Sequence, residues 1–259
     1  MRNINRLYTL RAECPPTTAQ VPPTRDGPRR GRGVAVRNLP LPSGVAILFP
    51  QMISRQQNDE QSAPPRVPDG RRVYAIGDIH GRDDLVRRLH RRIGEDAAEA
   101  ANAPNGPNGN DLANVMVYLG DYVDRGPGSF DVVDLLLGAP LEGFEAVHLK
   151  GNHEDFLLRF WEDGSLGEAW LMNGGLETLR SYGVEFLDLG FAGDVLAEVR
   201  RRLRQALPPG HLDFFQDLAS WHVEGDYLFV HAGLRPGVPL DQQKDQDLFW
   251  IRHEFLNSG

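Results

Sequence analysis

Asp78 and His80 stand two residues apart where Val73-Tyr74-Ala75-Ile76-Gly77, an apolar run that stops at a glycine, gives way to Ile79 and Gly81. A carboxylate and an imidazole at i and i+2 of an extended or turning segment face the same way and can chelate one divalent ion. Three later stretches repeat the construction. Val115 to Leu119 runs into Gly120-Asp121, Ala146 to Lys150 into Gly151-Asn152-His153-Glu154, and Tyr227 to Val230 into His231-Ala232-Gly233. In an open α/β sheet, ligands gather beyond the carboxyl ends of the strands, so four strand ends carrying Asp, His, Asn and His imply one converging polar site. Each group alone has an ordinary alternative. Asp121 and Asp124 also read as turn residues, Asn152 as a helix N-cap before an acidic first turn, and His231 as a core histidine. Four compatible ends, in the order one site requires, favour chemistry over those alternatives.

The chemistry follows from the donor types. Asp121 has two oxygens and can bridge two cations where an imidazole cannot. Asp78 and His80 serve the first cation, and Asn152 and His231 complete the shell of the second. Mixed carboxylate, amide and imidazole ligation suits two divalent ions such as Mn²⁺, with Fe or Zn²⁺ as alternatives. Two ions about 3.5 to 4 Å apart lower the pKa of a bound water and clamp the attacking and leaving oxygens of an in-line displacement, so phosphoester hydrolysis is the natural reaction. His153 next to Asn152 is the candidate acid for the departing alkoxide, with Asp124 to hold and charge its imidazole. Arg125 and Arg252 offer forked donors to phosphate oxygens.

Composition narrows the setting. Residues 1 to 72 hold 12 arginines against 5 acids, and the remainder holds 16 basic against 31 acidic residues. So acidic a body is a poor nucleic-acid surface. Cys14 is the single cysteine, which leaves no disulfide framework and no thiolate metal site. No run approaches the ~18 apolar residues of a membrane span. A monomeric, cytoplasmic protein without nucleic-acid or membrane partners is expected.

The elements that must position these groups can be traced in order. Residues 1 to 70 carry 11 of the 19 prolines and no sustained periodicity, and read as a disordered Arg/Pro-rich leader. It is either a targeting or phosphate-binding tail, or a dispensable extension from a start assigned too far upstream. After the first strand, Leu85, Val86, Leu89 and Ile93 form a helical stripe over Arg82 to Ala98. Asn102 to Asn110 is a loop, and Ser129 to Leu137 a short buried helix, which makes a βαβ unit. Asp155 to Trp161 is a helix. Glu168 to Tyr182 and Phe191 to Leu207 read as two further helices forming a lid or wall. Leu212 to Leu218 is a short helix, and Trp221 to Glu224 pairs with Tyr227 to Val230 as a hairpin across Gly225-Asp226. His90, His148, His211, His222 and His253 are assigned no chemistry.

Gly77-Asp78-Ile79-His80-Gly81, Gly120-Asp121-Tyr122-Val123-Asp124-Arg125-Gly126 and Gly151-Asn152-His153-Glu154 resemble the three signatures of the calcineurin-like metallophosphoesterases. More narrowly, they resemble the bacterial and phage branch of the phosphoprotein phosphatases. The resemblance spans about Arg72 to Arg252. It implies an α/β fold with a central β-sandwich flanked by helices, a dinuclear centre usually active with Mn²⁺, and hydrolysis of phosphoserine and phosphothreonine in a phosphoprotein or of a small phosphoester. By resemblance, Asp78, His80 and Asp121 hold the first metal, and Asp121, Asn152 and His231 the second. His153 with Asp124 is the acid pair, and Arg125, Arg252 and Asn152 bind the phosphate. The family also has a last metal-binding histidine, in a Gly-His-Thr-like strand end beyond the position of Arg252, followed by closing strands. His253 is too close to Arg252 to be that ligand, and the chain stops at Gly259. The expectation is therefore a C-terminally incomplete domain over 71 to 259, with weak or no activity. Symmetrical hydrolysis of diadenosine tetraphosphate is the neighbouring enzymatic reading, and an inactive pseudophosphatase or binding module is the non-enzymatic one.

Overall fold

The computed structural model describes residues 49–50, 65–101, 112–138, 141–185 and 194–258. The chain runs through β1 (Phe49–Pro50), β2 (Arg71–Ile76), α1 (Asp83–Ala101), β3 (Ala113–Tyr118), α2 (Ser129–Gly138), β4 (Phe144–His148) and α3 (Asn152–Glu162). Next come α4 (Gly167–Trp170), a π turn (Leu171–Gly175), α5 (Leu176–Ser181), α6 (Val195–Ala206) and α7 (Pro209–Gln216). The hairpin β5 (Trp221–Glu224) and β6 (Tyr227–Val230) precedes α8 (Asp245–Trp250) and α9 (His253–Leu256). Among the described residues no helix is long and apolar enough to cross a membrane.

Two three-stranded sheets form the centre. β2, β3 and β4 lie parallel in that order, with Val73 opposite Val115 and Met116 opposite Ala146. β1, β6 and β5 form an antiparallel sheet. The strand residues alternate between two apolar layers, as the period of two demands. Tyr74, Ile76, Met116 and Tyr118 face the helices in the larger core, beside Val86, Ile93, Val133, Leu157 and Phe160. Val73, Ala75, Val115, Val117 and Leu119 face the other way, onto Leu149 and Phe229. Each such side chain contributes roughly 1.5 to 3 kcal/mol on burial, so both faces of the parallel sheet are committed and the layers cannot slide. The result is a mixed α/β sandwich.

Several expectations shift in detail. His231 follows β6 and so reaches the site from the second sheet, facing the parallel sheet that carries the other three strand ends. The leader does not extend to residue 70 as an unpaired segment. Residues 65 to 70 strap the hairpin, with Tyr227 Oη donating to Pro65 O (3.2 Å) and Asp226 N to Arg66 O (3.0 Å). Gly225, at φ 62°, leaves room for that strap, since a Cβ there would lie 2.5 Å from Arg66 O. The rest of the leader, apart from β1, and the loop expected over 102 to 110 lie outside the described residues. The helix expected from Glu168 to Tyr182 is interrupted at Gly174, φ 108°. There a Cβ would stand 2.6 Å from Arg125 N, whose N–H donates to Gly174 O (3.2 Å).

Of the histidines left without chemistry, His90 and His211 are buried, His148 and His222 partly so, and His253 is exposed. His90 Nε2 meets Tyr118 Oη at 2.7 Å, and His211 Nδ1 meets Tyr182 Oη at 2.8 Å. His148 stacks on Tyr118, centroids 4.8 Å apart, and meets Phe214 edge-on, while its Nε2 is buried without a hydrogen-bond partner. Burial pushes the His148 pKa down to about 4. The unfolded imidazole, near the ordinary value of about 6.5, takes up its proton first as pH falls. The stability tied to neutral His148 is therefore full above that value and is lost as the pH falls through about 4. In urea titrations of metal-free protein, His148→Phe should lose about 2 to 3 kcal/mol less stability than the parent between pH 6.5 and 4; parallel curves would contradict the assignment.

Candidate metal centre

The loops after β2, β3, β4 and β6 meet at Asp121. Its Oδ1 lies 3.5 Å from His231 Nε2, and its Oδ2 lies 3.7 Å from His80 Nε2 and 4.0 Å from His153 Nε2. Asp78 Oδ2 is 3.8 Å from His80 Nε2. Two groups of donor atoms each fall within 4.8 Å, one of His80, Asp121 and His153 and the other of Asp78, Asp121 and His231, with Asp121 common to both.

Backbone strain delivers these side chains. His80, Asp121, Asp124 and Arg125 all adopt positive φ, at 47°, 56°, 70° and 66°. Left-handed geometry in residues other than glycine costs of order 1 kcal/mol or more each and persists only where the surroundings over-determine it. Here they do. Ile79 N and His80 N both donate to Asp121 O, at 3.0 and 2.8 Å, and Gly81 N donates to Tyr122 O at 2.8 Å. Glu154, wholly buried, accepts from Asp121 N (2.8 Å), Tyr122 N (2.8 Å), Val123 N (3.3 Å) and Gly151 N (2.9 Å). One carboxylate thus ties the loop after β3 to the loop after β4. Burial and the neighbouring Asp121 push the Glu154 pKa up to about 7.

Helix α3 starts one position earlier than an Asn152 cap would allow. Gly151 is the N-cap, and the Asn152 side chain turns instead to His231, with Oδ1 3.0 Å from Nε2. His153 N donates to Asp121 Oδ1 (3.1 Å). The positive end of α3 therefore points at the cluster, where it favours anions.

The ring tautomers separate two kinds of histidine. His80 Nδ1 faces Val123 O (2.9 Å) and His231 Nδ1 faces Leu119 O (2.7 Å). A carbonyl only accepts, so both rings carry their proton on Nδ1 and aim the Nε2 lone pair into the site, the arrangement that orients metal-ligating histidines. His153 Nδ1 instead meets Asp124 Oδ2 at 2.6 Å. Burial alone disfavours a charged His153, but the Asp124 hydrogen bond and the Asp121 and Asp124 charges outweigh it and raise its pKa. Burial likewise raises Asp124 against the pull of its donors His153, Thr178 and Trp170. His80 is pushed down to about 4, chiefly by burial, and stays neutral.

The donor set fits cations. Both oxygens of Asp78 are buried without a hydrogen-bond partner, an arrangement that burial of a carboxylate does not otherwise tolerate. Burial first, then Asp121, pushes its pKa up to about 6. The His231 Nε2 lone pair and Asn152 Oδ1, two acceptors, face each other, and no proton can satisfy both while Nδ1 holds the ring proton. Donors ~2.1 Å from a shared ion stand roughly 3 to 3.4 Å apart, close to the separations seen. Arg125, expected to bind phosphate, lies in the centre against two imidazoles. Its Nη1 donates to His80 Nε2 (2.9 Å) and its Nη2 to His153 Nε2 (3.0 Å). The guanidinium supplies positive charge at the lone pair an ion would take, and an ion on His80 requires it to swing away. Arg252 is not among the side chains bonded into the cluster, since its Nη1 donates to Ile251 O (3.2 Å).

Three residues escaped sequence reasoning. Trp170 Nε1 donates to both oxygens of Asp124 (3.1 and 3.0 Å) and Thr178 Oγ1 to its Oδ1 (2.6 Å), while Glu154 braces the loops. Glu154 lies inside a signature and was legible as a position but not as a brace. For Trp170 and Thr178 the signal was a tryptophan and a threonine flanking Asn173-Gly174-Gly175, which spacing alone does not connect to Asp124.

Comparison with known proteins supplies the wider frame. Residues 71–258 match the family model described as calcineurin-like phosphoesterase. The chain is similar to a symmetrical bis(5'-nucleosyl)-tetraphosphatase of Dechloromonas aromatica (strain RCB), 29% identical over 164 residues, covering 63% of this chain and 44% of that one. It is also similar to serine/threonine-protein phosphatase 2 of Escherichia coli (strain K12), 36% identical over 106 residues, covering 40% and 39% of the two chains. A third relative is the asymmetrical bis(5'-nucleosyl)-tetraphosphatase PrpE of Anoxybacillus flavithermus (strain DSM 21510 / WK1), 37% identical over 108 residues, or 40% and 38%. The matched segments span less than half the length of these curated relatives.

The lone Asp78 carboxylate yields an inverse stability test. Its pKa is raised, so the penalty for keeping it charged grows as pH rises through about 6 and is full at neutral pH. Asp78→Asn should raise the unfolding free energy of EDTA-treated protein at pH 7.5 by about 1 to 3 kcal/mol. It should also shrink the thermal shift given by added Mn²⁺. A destabilised metal-free variant would show that Asp78 has a partner inside the protein.

Proposed function

The chain belongs to the calcineurin-like phosphoesterase family, and we propose that it hydrolyses phosphate monoesters, with phosphoserine and phosphothreonine in proteins as the substrate class. The observation that carries this reading is Asp121, buried between two sets of donors, with the partnerless Asp78 carboxylate beside it. Asp78, His80, Asp121, Asn152 and His231 would hold two divalent ions, Mn²⁺ by preference and Fe or Zn²⁺ as alternatives. When bound, such ions supply Lewis acidity and a reactive water at neutral pH.

The chain's own residues do the remaining work. Arg125 leaves the imidazoles and offers its fork to the phosphate oxygens, a geometry suited to a planar guanidinium. The N-terminus of α3 adds partial positive charge to the same oxygens. His153, protonated on both nitrogens and held by Asp124, presents its Nε2 proton to the departing ester oxygen. Buried Asp124 fixes the ring and compensates its charge, as a carboxylate behind an imidazolium does. Arg252, two residues beyond a Trp250 whose Nε1 donates to Asp155 Oδ2 of α3 (2.8 Å), is the proposed second phosphate clamp, with Asn152 at the same phosphate. The proposed partner is a phosphoprotein or a small phosphoester.

A second reading, symmetrical cleavage of a dinucleoside tetraphosphate, is supported by the name of the Dechloromonas aromatica relative. The Tyr122-Val123-Asp124-Arg125 form of the second motif and Glu154 at the end of the third favour the phosphatase reading.

Hydrolysis of p-nitrophenyl phosphate should require added Mn²⁺ and fall to background in EDTA, while turnover of a phosphothreonine peptide should drop by about 10²-fold or more in His153→Asn. The same protein should release phosphate from a phosphothreonine peptide and leave diadenosine tetraphosphate intact. Nucleotide release without phosphopeptide turnover would replace the first reading by the second, and metal-independent turnover would remove both.

A further inference from the structure

Asp124 is wholly buried, and His153 is only one of three side chains that donate to it. Oδ2 meets His153 Nδ1 at 2.6 Å, Oδ1 accepts Thr178 Oγ1 at 2.6 Å, and Trp170 Nε1 lies 3.1 and 3.0 Å from the two oxygens. Thr178 also works in reverse. Its Oγ1 accepts from Asp124 N (2.8 Å) and stands 3.0 Å from Ser129 Oγ, which itself accepts from Asp124 N (3.1 Å). The hydroxyl thus closes a ring around the residue, fixing its left-handed backbone and the rotation of its carboxylate together. Trp170 and Thr178 are wholly buried too.

The convergence of these donors requires the kinked turn. Residues eight apart in a regular α-helix lie about 80° round the axis from one another. The wider π turn, broken at Gly174, lies between Trp170 and Thr178 and brings both to one carboxylate. The same turn passes over Arg125, whose N–H it receives at Gly174 O. A segment that contributes no candidate metal ligand is therefore shaped around the residue behind the acid.

We propose that Trp170 and Thr178 are positioning residues that hold Asp124, and through it His153, in line with the leaving oxygen. Their contribution then scales with the basicity of the leaving group. The inference rests on the phosphatase reading above. In the step concerned, the bond between phosphorus and the ester oxygen breaks while one forms between phosphorus and the oxygen of water. The Nε2 proton of His153 passes to the ester oxygen, giving alcohol and inorganic phosphate, and the imidazole regains a proton from solvent. A serine or threonine alkoxide cannot depart without that proton. A p-nitrophenolate, whose charge spreads into the ring, can. Misplacing the acid should therefore slow phosphoseryl esters and spare p-nitrophenyl phosphate.

The test compares the Mn²⁺-loaded parent with Thr178→Val, which keeps side-chain volume but removes the hydroxyl, and Trp170→Phe, which keeps a ring against Phe160. For a phosphoserine peptide, kcat should fall by about tenfold or more in each, with KM little changed, against less than about threefold for p-nitrophenyl phosphate. Thr178→Ser should restore the parent ratio. As a readout independent of turnover, the low-field proton resonance of the His153 Nδ1–H to Asp124 bond should move upfield in Thr178→Val and stay in place in Thr178→Ser. Equal losses for both substrates, or an unmoved resonance with an unchanged substrate ratio, would overturn the inference while leaving the phosphatase reading intact. Absence of metal-dependent hydrolysis in the parent itself would overturn both.

Discussion

A single buried carboxylate must be kept charged where no water reaches it, and the architecture around Asp121 is the answer to that demand. Burial acts to raise its pKa, yet the surrounding His231, His153 and His80 imidazoles and the backbone N–H of His153 outweigh burial and hold it below the ordinary carboxylate value. Those three rings arrive on loops from both sheets and from the start of α3, so the electrostatic requirement of one side chain fixes the relative placement of the sandwich layers. The backbone obeys the same demand. The left-handed residues His80, Asp121, Asp124 and Arg125 are tolerable because their N–H groups are gathered by the Asp121 carbonyl, Glu154, the Ser129 and Thr178 hydroxyls and the Gly174 carbonyl.

Asp121 and Asp124 lie three residues apart in one loop yet occupy different chemical surroundings. Asp121 looks into a cluster of nitrogen lone pairs and a bare carboxylate, an environment that calls for metal ions. Asp124 looks away from it, toward an imidazole N–H, an indole N–H and a hydroxyl, an environment that calls for nothing more. Pairs of like groups pushed into unlike roles by their surroundings are a recurrent way of dividing chemical labour in a site. Asp78 marks the expense, because a carboxylate stripped of water and of partners destabilises the fold in proportion to its usefulness to a cation.

Much of the centre was legible before any coordinates. Apolar runs ending at Gly77, Gly120 and Gly151 announced strand ends, and the donor types after them announced hard divalent ions, because ligation chemistry is local to the side chain. The hairpin across Gly225-Asp226 and the helices after the first three strands were equally readable from periodicity. The errors fell where distance along the chain is large. Residues 65 to 70 proved to be a strap, and a continuous helix over Glu168 to Tyr182 proved to be two helices around a π turn held against Arg125.

The physical reason lies in what each level encodes. Turn propensity, alternation and metal preference are properties of a few neighbouring residues, so the sequence by itself determined which groups could do chemistry and on what kind of element each would sit. Which groups actually face one another depends on burial and on hydrogen bonds between segments far apart in the chain, 112 residues in the case of His231 and Leu119. Only the packed chain could decide that His80 and His231 present lone pairs while His153 presents a proton to Asp124. Only it could decide that Trp170 and Thr178 stand behind that acid.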